Sequence, residues 1–382
     1  MLYFSKGIAI LLIIFHHFSR SLWFSHGSGA PALQQWNFDP RARGFGVFAS
    51  TLSAGGYSDA ILRLMAQFGY VGVHLFVLMS GLGLAFGASE TVTLGSFLKR
   101  RFRKLVPPFW TAIAFSVVLA AAFGQSYPIG LIIERMLLLT TFDKAQFFSI
   151  DSPLWCLALF FQLYLLFLPM RWLIARFGPR IILLLAVIAF IARWLMSLPP
   201  ILQWNMFLGH AFAFNWLAVF GLGIWIGDKL QRDGEVVLPV WMVTGTALAA
   251  TLLLILSDNY GTIYPAHDTA IGGVIGTATL LAWRVLFNSQ FARAIVTVGG
   301  VSFPLYLYHR PVVVVVVALW QANGMTRLLA PLGLGIVTAA GLVALTLLIR
   351  RALSSYPKIA ANAFGDWEGG RVESCDCSRP DF

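Results

Sequence analysis

Long, uninterrupted apolar runs constrain this chain more than any other feature of its sequence. The runs are about 20 residues long, which is the length an α-helix needs to cross a hydrocarbon core. Of the 382 residues, 58% are hydrophobic and only 11% are charged, whereas a soluble domain is about 45–50% apolar and about 25% charged. A soluble enzyme, a disordered chain and a secreted disulfide scaffold are therefore excluded. Because the runs do not alternate in polarity over about ten residues, a β-barrel is also disfavoured, and the predicted fold is an all-α polytopic membrane protein.

The apolar runs predict ten transmembrane helices within one domain, residues 1–350. A shorter apolar segment, residues 129–142, favours an interfacial or re-entrant piece. The polar tail, residues 351–382, is predicted to be a disordered cytoplasmic segment. The ten predicted spans are 4–24, 68–88, 105–124, 154–174, 180–198, 208–228, 237–257, 264–287, 295–319 and 328–350.

The distribution of basic residues predicts the orientation of these spans. With the N-terminus inside, eighteen Lys and Arg residues fall on the inner side and eight on the outer side. Cytoplasmic loops of membrane proteins are enriched in Lys and Arg, so both termini are predicted to be cytoplasmic in a multi-pass protein of the cell membrane. The net charge of +11 then follows from topology and does not indicate a nucleic acid partner. Two long outer segments, residues 26–66 and 125–153, are candidates for functional loops.

The first span carries ionisable residues, which are costly in a membrane and therefore candidates for function. Lys6 and His17 are eleven positions apart, which returns them to the same helix face within about 20° and separates them by ~16 Å along the axis. His16 is rotated by about 100° from His17. This pattern suits a ligand that lies along the helix, with its anionic end at Lys6 and its reactive end at His17. The alternative is that Lys6 snorkels to the headgroups and the histidines bond neighbouring helices.

Two further polar clusters stand out. Five basic residues precede the third span, at positions Lys99, Arg100, Arg101, Arg103 and Lys104. They form a candidate phosphate site, although a positive-inside anchor has the same pattern. In the ninth span, Tyr306 lies one turn before His309 and on the same face, and Arg310 follows directly. A structural role and a functional role remain open for this second cluster. Ser80-Gly81 is most simply read as a small-residue packing notch.

Five stretches, taken in order along the chain, resemble the acyltransferase-3 family of membrane O-acyltransferases. Lys6 through His17 is similar to the first-helix signature of that family, with Lys in place of the usual Arg. The other four are Phe76–Leu82, Lys99–Trp110, Leu154–Phe167 and Gly299–Pro311. The resemblance covers most of residues 3–350. One departure is that Phe160 and Phe161 stand where many members carry acidic residues. An acid assisting His17 would then have to come from elsewhere, for example Asp151, Glu134 or an outer-loop Asp.

The resemblance implies transfer of an acyl group, most often acetyl, from cytoplasmic acyl-CoA to a hydroxyl of a cell-envelope carbohydrate or glycolipid. His17 is then the general base or a transient acyl carrier, with His309 and Tyr306 as further catalytic residues. Trp155, Ser80 and Arg310 are assigned to substrate binding. The CoA moiety is assigned to Lys6, Arg100, Arg101, Arg103 and Lys104. Acyl-CoA is the expected donor, no metal is expected, and the oligomeric state stays open.

A transporter or flippase for a polar or glycolipid substrate is the alternative from another functional class. It would share the ten spans, the buried charges and the outer loops. Many transporters carry internal repeats with helices broken at matching positions. No such repeat is visible in this sequence, which favours the enzyme.

Overall fold

The computed structural model describes residues 1–25, 57–87, 93–143, 145–196, 198, 207–234, 244–245, 247–253, 274, 276, 278–279, 281–283, 285–322 and 331–353. Every regular element in these ranges is helical, which confirms the predicted all-α class. Short 3₁₀ turns occur at Gly69–Val71, Leu139–Phe142, Ser152–Leu154 and Ala213–Trp216, and a π turn at Phe207–Ala211. The α-helices are α1 Leu2–Ser25, α2 Tyr57–Phe68, α3 Gly72–Phe86, α4 Leu94–Ala122, α5 Ile129–Met136, α6 Trp155–Phe177, α7 Arg180–Met196, α8 Leu217–Asp233, α9 Gln290–Gly300, α10 Ser302–Ala322 and α11 Pro331–Ala352.

Within the described ranges, seven helical segments are long and apolar enough to cross a bilayer. They correspond to seven of the ten predicted spans, so the protein is a multi-pass membrane protein. An eighth predicted span coincides with α7, a 17-residue helix. The predicted spans 237–257 and 264–287 lie largely outside the described residues, as does 354–382 of the predicted tail. The number ten and the cytoplasmic termini stay predictions.

Helix boundaries differ from the sequence prediction at three places. Helix α4 begins at Leu94 rather than near residue 105, because Thr93 caps it and the basic residues that follow are good helix formers. The predicted span 295–319 is divided at Val301 into α9 and α10, directly after Gly299-Gly300. The predicted outer segment 26–66 contains most of α2. Apolarity therefore marked the extent of the hydrocarbon-facing surface and not the ends of the helices.

The chain divides into two compact units. Unit 1 comprises Met1–Leu2, Phe76–Leu238 and Leu348–Phe382, and unit 2 comprises Tyr3–Leu75 and Pro239–Leu347.

In unit 1, glycines bring α8 against α3 at backbone distance. A side chain at Gly223 would collide with the carbonyl oxygen of Leu78, and one at Gly227 with that of Leu82. From α3, Gly81 faces the carbonyl oxygen of Phe220 in the same way. The spacing of Gly223 and Gly227 is the small-xxx-small pattern that lets membrane helices approach closely. The packing role predicted for Gly81 is thereby confirmed.

Also in unit 1, the buried guanidinium of Arg135 holds the short segment that follows α5. It donates to Thr140 Oγ1 (2.9 Å), to the carbonyl oxygen of Phe147 (3.0 Å) and to that of Asp151. Arg135 is fully buried. Since residues 129–142 form only an eight-residue helix and a 3₁₀ turn, the prediction that this segment is not a full span is confirmed.

In unit 2, close backbone contacts fix α1 on two sides. Gly7 packs against the backbone of Ile295 in α9, and Gly299 packs against the backbone of Tyr3. On another side, Gly69 and Gly72 pack against α1 at Leu12 and Ala9. Because no side chains separate these backbones, the position of the histidines on α1 is tightly determined.

Candidate active site

Helix α1 presents two adjacent histidines in different environments. The helix is uninterrupted from Leu2 to Ser25, so Lys6 and His17 lie on one face as predicted. His16 is only 6% exposed, whereas His17 is partly exposed. The Lys6 Nζ lies 5.6 Å from the centroid of the Tyr3 ring. His17 is thus the histidine of this pair that a ligand can reach.

His309 from α10 lies directly beside His17. Their ring centroids are 5.1 Å apart with planes inclined by 47°. The Nδ1 of His309 lies 3.1 Å from the carbonyl oxygen of Leu305 and 2.9 Å from that of Tyr306. Because carbonyl oxygens only accept, this nitrogen carries the proton and donates it.

The Nε2 of His309 is therefore the nitrogen with the free electron pair. It is fully buried and has no hydrogen-bond partner within the described part of the chain. The Tyr306 ring lies 6.0 Å from the His309 ring, which confirms the predicted proximity of these two residues. Sequence reasoning had identified His17 and His309 separately, and the structure brings them together.

His16 contacts α2. Its ring hydrogen-bonds the backbone carbonyls of Met65 and Ala66, in the last turn of α2. Its Nδ1 has no hydrogen-bond partner among the described residues, so the donating nitrogen is Nε2. The His16 ring meets the His17 ring edge-on, with centroids 5.1 Å apart. The His17 ring therefore contacts two imidazoles, those of His16 and His309.

The charges that act on His17 are cationic. They come from Arg310, predicted from the sequence, and from Arg20, which lies near the end of the first predicted span and was not among the predicted site residues. The signal for Arg20 was its position three residues after His17, one turn along the same helix. The two acids considered from the sequence both belong to unit 1, where Asp151 is buried and Glu134 is exposed.

Unit 1 carries a second candidate site around Arg101. Of the five basic residues near the start of α4, Lys99, Arg100 and Arg103 are exposed, while Arg101 and Lys104 are partly buried. The Arg101 guanidinium lies 5.4 Å from the centroid of the Phe97 ring. Its Nε is buried and has no hydrogen-bond partner within the described residues. A buried guanidinium donor of this kind is suited to an anion.

Tyr164 from α6 completes this second site. It is close enough to Arg101 for electrostatic interaction, and it shares a hydrogen bond with Ser80 from α3. Sequence reasoning did not select Tyr164, although it lies in one of the stretches that carry the family resemblance. Ser80, predicted to bind substrate, thus contacts a protein side chain.

Trp155 opens α6 among other aromatic rings of unit 1. Its ring centroid is 5.6 Å from that of His210 and 6.2 Å from that of Phe147. The binding role predicted for Trp155 stays a prediction. Over the described residues, no group of three or more His, Cys, Asp or Glu side chains is arranged to hold a metal ion.

These features define a class: a multi-pass helical membrane protein with a paired-histidine site on its first helix and a guanidinium site in a separate unit. The sequence profile of a family described as an acyltransferase domain matches residues 4–351. The chain belongs to this acyltransferase-3 family, as the resemblance of its motifs predicted.

Curated proteins of Staphylococcus aureus are similar in sequence to this chain. The O-acetyltransferase OatA of strains NCTC 8325, COL and MRSA252 is 29% identical over 302 residues, covering 67% of this chain and 48% of the relative. The chain thus spans about half the length of the curated relatives it matches. No solved structure gives a significant match.

Proposed function

We propose that this protein is a membrane O-acyltransferase that moves an acetyl group from acetyl-CoA to a hydroxyl of a cell-envelope carbohydrate or glycolipid. The observation that carries the proposal is the His17–His309 pair, in a chain whose family is an acyltransferase family. The name of the OatA relatives supports O-acetyl transfer as the particular reaction.

In the proposed reaction, His17 acts as the general base. It takes the proton from the acceptor hydroxyl while that oxygen attacks the carbonyl carbon of the thioester. The carbon–sulfur bond of the resulting tetrahedral intermediate then breaks, and His17 returns the proton to the departing CoA sulfur. A positioned base of this kind contributes about 10²–10⁴-fold to the rate. In the covalent variant, the neutral His17 nitrogen attacks the thioester carbon, the carbon–sulfur bond breaks and CoA leaves as its thiolate. The acceptor oxygen then attacks the acetyl-imidazolium, neutral His17 is released, and the hydroxyl proton ends on the CoA sulfur.

The groups around His17 suit the charge that develops in this reaction. Attack on the thioester places a negative charge on the carbonyl oxygen, and cations or hydrogen-bond donors stabilise it. Arg310 and Arg20 supply positive charge near His17. In this proposal His309 steadies the imidazolium of His17 by accepting a hydrogen bond at Nε2, because its Nδ1 is already bound to its own helix.

The donor is assigned to the basic residues predicted from the sequence. CoA carries several phosphate charges, and Arg binds phosphate through fixed, paired donors. Among the basic residues of α4, Arg101 is the first candidate for binding a CoA phosphate. It is partly buried, and its Nε has no hydrogen-bond partner among the described residues. Lys104 lies on the same face one turn later, and Lys6 is the third candidate, on α1. Arg100 and Arg103 are exposed and are assigned weaker roles.

The transporter alternative rested on the spans and buried charges alone. The family match gives it no support, and a transporter would not depend on acetyl-CoA. Binding of acetyl-CoA to the purified protein separates the two functions. Solute uptake in vesicles, together with no acetyl-CoA binding, would favour the transporter.

Replacing the proposed base tests the enzyme directly. We expect His17→Ala to lower acetyl transfer in isolated membranes by at least about 100-fold, because the acceptor hydroxyl loses its base. The measurement is the rate at which labelled acetyl groups from acetyl-CoA appear in envelope glycan. His210→Ala, in unit 1, is the control and should stay within about threefold of the parent. Undiminished transfer by a correctly inserted His17→Ala protein would refute the proposal.

A further inference from the structure

We propose that His16 is a positioning residue: it ties the end of α2 to α1 and thereby holds the His17 ring in its orientation towards His309. This inference rests on the proposed function, because it concerns the reaction assigned to His17. It gives a role to a buried histidine that the acetyl-transfer mechanism itself does not use.

His16 donates a hydrogen bond to the last turn of α2. A helix leaves its last four carbonyl groups without partners inside the helix. Met65 and Ala66 belong to the last turn of α2, and their carbonyls accept from His16. Because a buried carbonyl without a partner is costly, this imidazole N–H anchors the end of α2.

His16 also has no freedom to move. It is 6% exposed, and the turn at Gly69 lies so close that an added side chain there would meet the His16 Cβ at 2.7 Å. On the other side the Tyr70 ring lies 6.1 Å away, edge-on. The ring is therefore held by its hydrogen bond, by the turn and by an aromatic neighbour.

This fixed ring contacts the His17 ring. The two rings meet at 75° with centroids 5.1 Å apart. The His309 ring also contacts the His17 ring and is itself held by carbonyls of α10. His17 thus contacts two imidazoles that are each hydrogen-bonded to backbone. A misplacement of a reacting group by about 1 Å can cost about 100-fold in rate, so the restraint has a direct consequence for catalysis.

Three substitutions separate the hydrogen bond from the ring contact. His16→Gln places an amide N–H near the position of Nε2, which keeps the bond to α2. His16→Phe keeps a ring against His17 but has no donor. His16→Asn has a donor, but its shorter side chain places it near Nδ1, away from the carbonyls of Met65 and Ala66.

We expect His16→Gln to stay within about threefold of the parent kcat, and His16→Phe and His16→Asn to lose at least about tenfold. KM for acetyl-CoA should change by less than about twofold in all three, because His16 contacts neither substrate. Should His16→Phe fail to fold, the comparison of Gln with Asn carries the same test. Full activity of both His16→Phe and His16→Asn would overturn the proposal. So would a His16→Gln protein as inactive as His17→Ala, because His16 would then take part in the proton chemistry itself.

A second readout requires no acetyl transfer. Ala66 is only 3% exposed, so a cysteine introduced by Ala66→Cys, with Cys375 and Cys377 replaced by Ser, should react slowly with a maleimide. We expect labelling at position 66 to accelerate at least about fivefold when His16→Phe or His16→Asn is added, and to stay slow with His16→Gln, because only Gln keeps α2 anchored. Equal labelling in all variants would overturn the anchoring. If labelling follows this pattern but no protein transfers acetyl groups, the proposed function fails while the link from His16 to α2 stands.

Discussion

At the scale of single residues, the site depends on which nitrogen of each histidine is committed to backbone. His309 uses Nδ1 for carbonyls of its own helix, and His16 uses Nε2 for carbonyls of α2. Of the three, His17 is the one that makes no such backbone bond within the described residues, and it is partly exposed. In the proposed mechanism these three similar side chains have different tasks: His17 is the base, His309 stabilises its imidazolium, and His16 fixes its orientation.

Arg101 offers a matched comparison on a single helix. We expect Arg101→Gln to raise KM for acetyl-CoA at least about tenfold with little change in kcat, because a charge-assisted hydrogen bond is worth about 1.5–3 kcal/mol. Steady-state kinetics with varied acetyl-CoA measures this effect. The control is Arg100→Gln, an adjacent and exposed guanidinium, which should change KM by less than about twofold. Equal effects of the two substitutions would show that the basic run acts only as an unspecific positive surface.

At the scale of elements, glycines let the backbones of two helix pairs approach closely, beside clusters of buried apolar side chains. Lipid tails are as apolar as leucine, so membrane helices associate through close packing and hydrogen bonds. In unit 1 this occurs between α3 and α8, and in unit 2 between α1 and α9. The second contact is the one that matters for the candidate active site, because α1 carries His16 and His17.

The glycine contact in unit 1 gives a stability prediction. Gly223→Ala should destabilise the protein by about 1–3 kcal/mol, because the added methyl group collides with backbone of α3 that cannot move aside. Thermal unfolding of the detergent-solubilised protein measures this loss. Gly83→Ala is the matched control on α3, since no atom lies within 4 Å of the position of its added methyl. A melting temperature of Gly223→Ala equal to that of Gly83→Ala would contradict the packing account.

At the scale of the whole molecule, two roles are proposed for the positive charge. Eighteen basic residues fall on the predicted inner side, which agrees with an orientation set by loop charge. A few basic residues, among them Arg101 and Lys104, are partly buried and are assigned to the donor. If the predicted orientation holds, most of the net charge of +11 belongs to the inner loops and helix ends.

The predicted orientation can be tested without any assay of activity. A reporter that is fluorescent only in the cytoplasm, fused after residue 382, should be fluorescent, and alkaline phosphatase at the same position should be inactive, because the charge bias places the C-terminus inside. A fusion within the predicted outer segment 125–153 is the internal control and should give the opposite pair of results. An active phosphatase at the C-terminus would show the opposite orientation. The donor would then have to enter from the other side than the one proposed.

The sequence by itself determined that this is a helical membrane protein, and it located the main polar residues. A continuous apolar run can satisfy its backbone hydrogen bonds in lipid only as a helix, and the helical period places Lys6 and His17 on one face. The sequence also indicated the family, because five stretches that resemble its motifs occur in the family's order along the chain. Helix ends were less predictable, since α4 extends well beyond its apolar part through residues that are polar but form helix readily.

Only the tertiary structure decided which polar residues meet. His17 and His309 are 292 positions apart in the chain, and nothing in the period of either helix states that they are neighbours. The same holds for the bond from His16 to the end of α2 and for the approach of Tyr164 to Arg101. Helix partners in a membrane are chosen by the fit of surfaces, here largely by glycine notches, and not by hydrophobicity, which is alike on every lipid-facing helix.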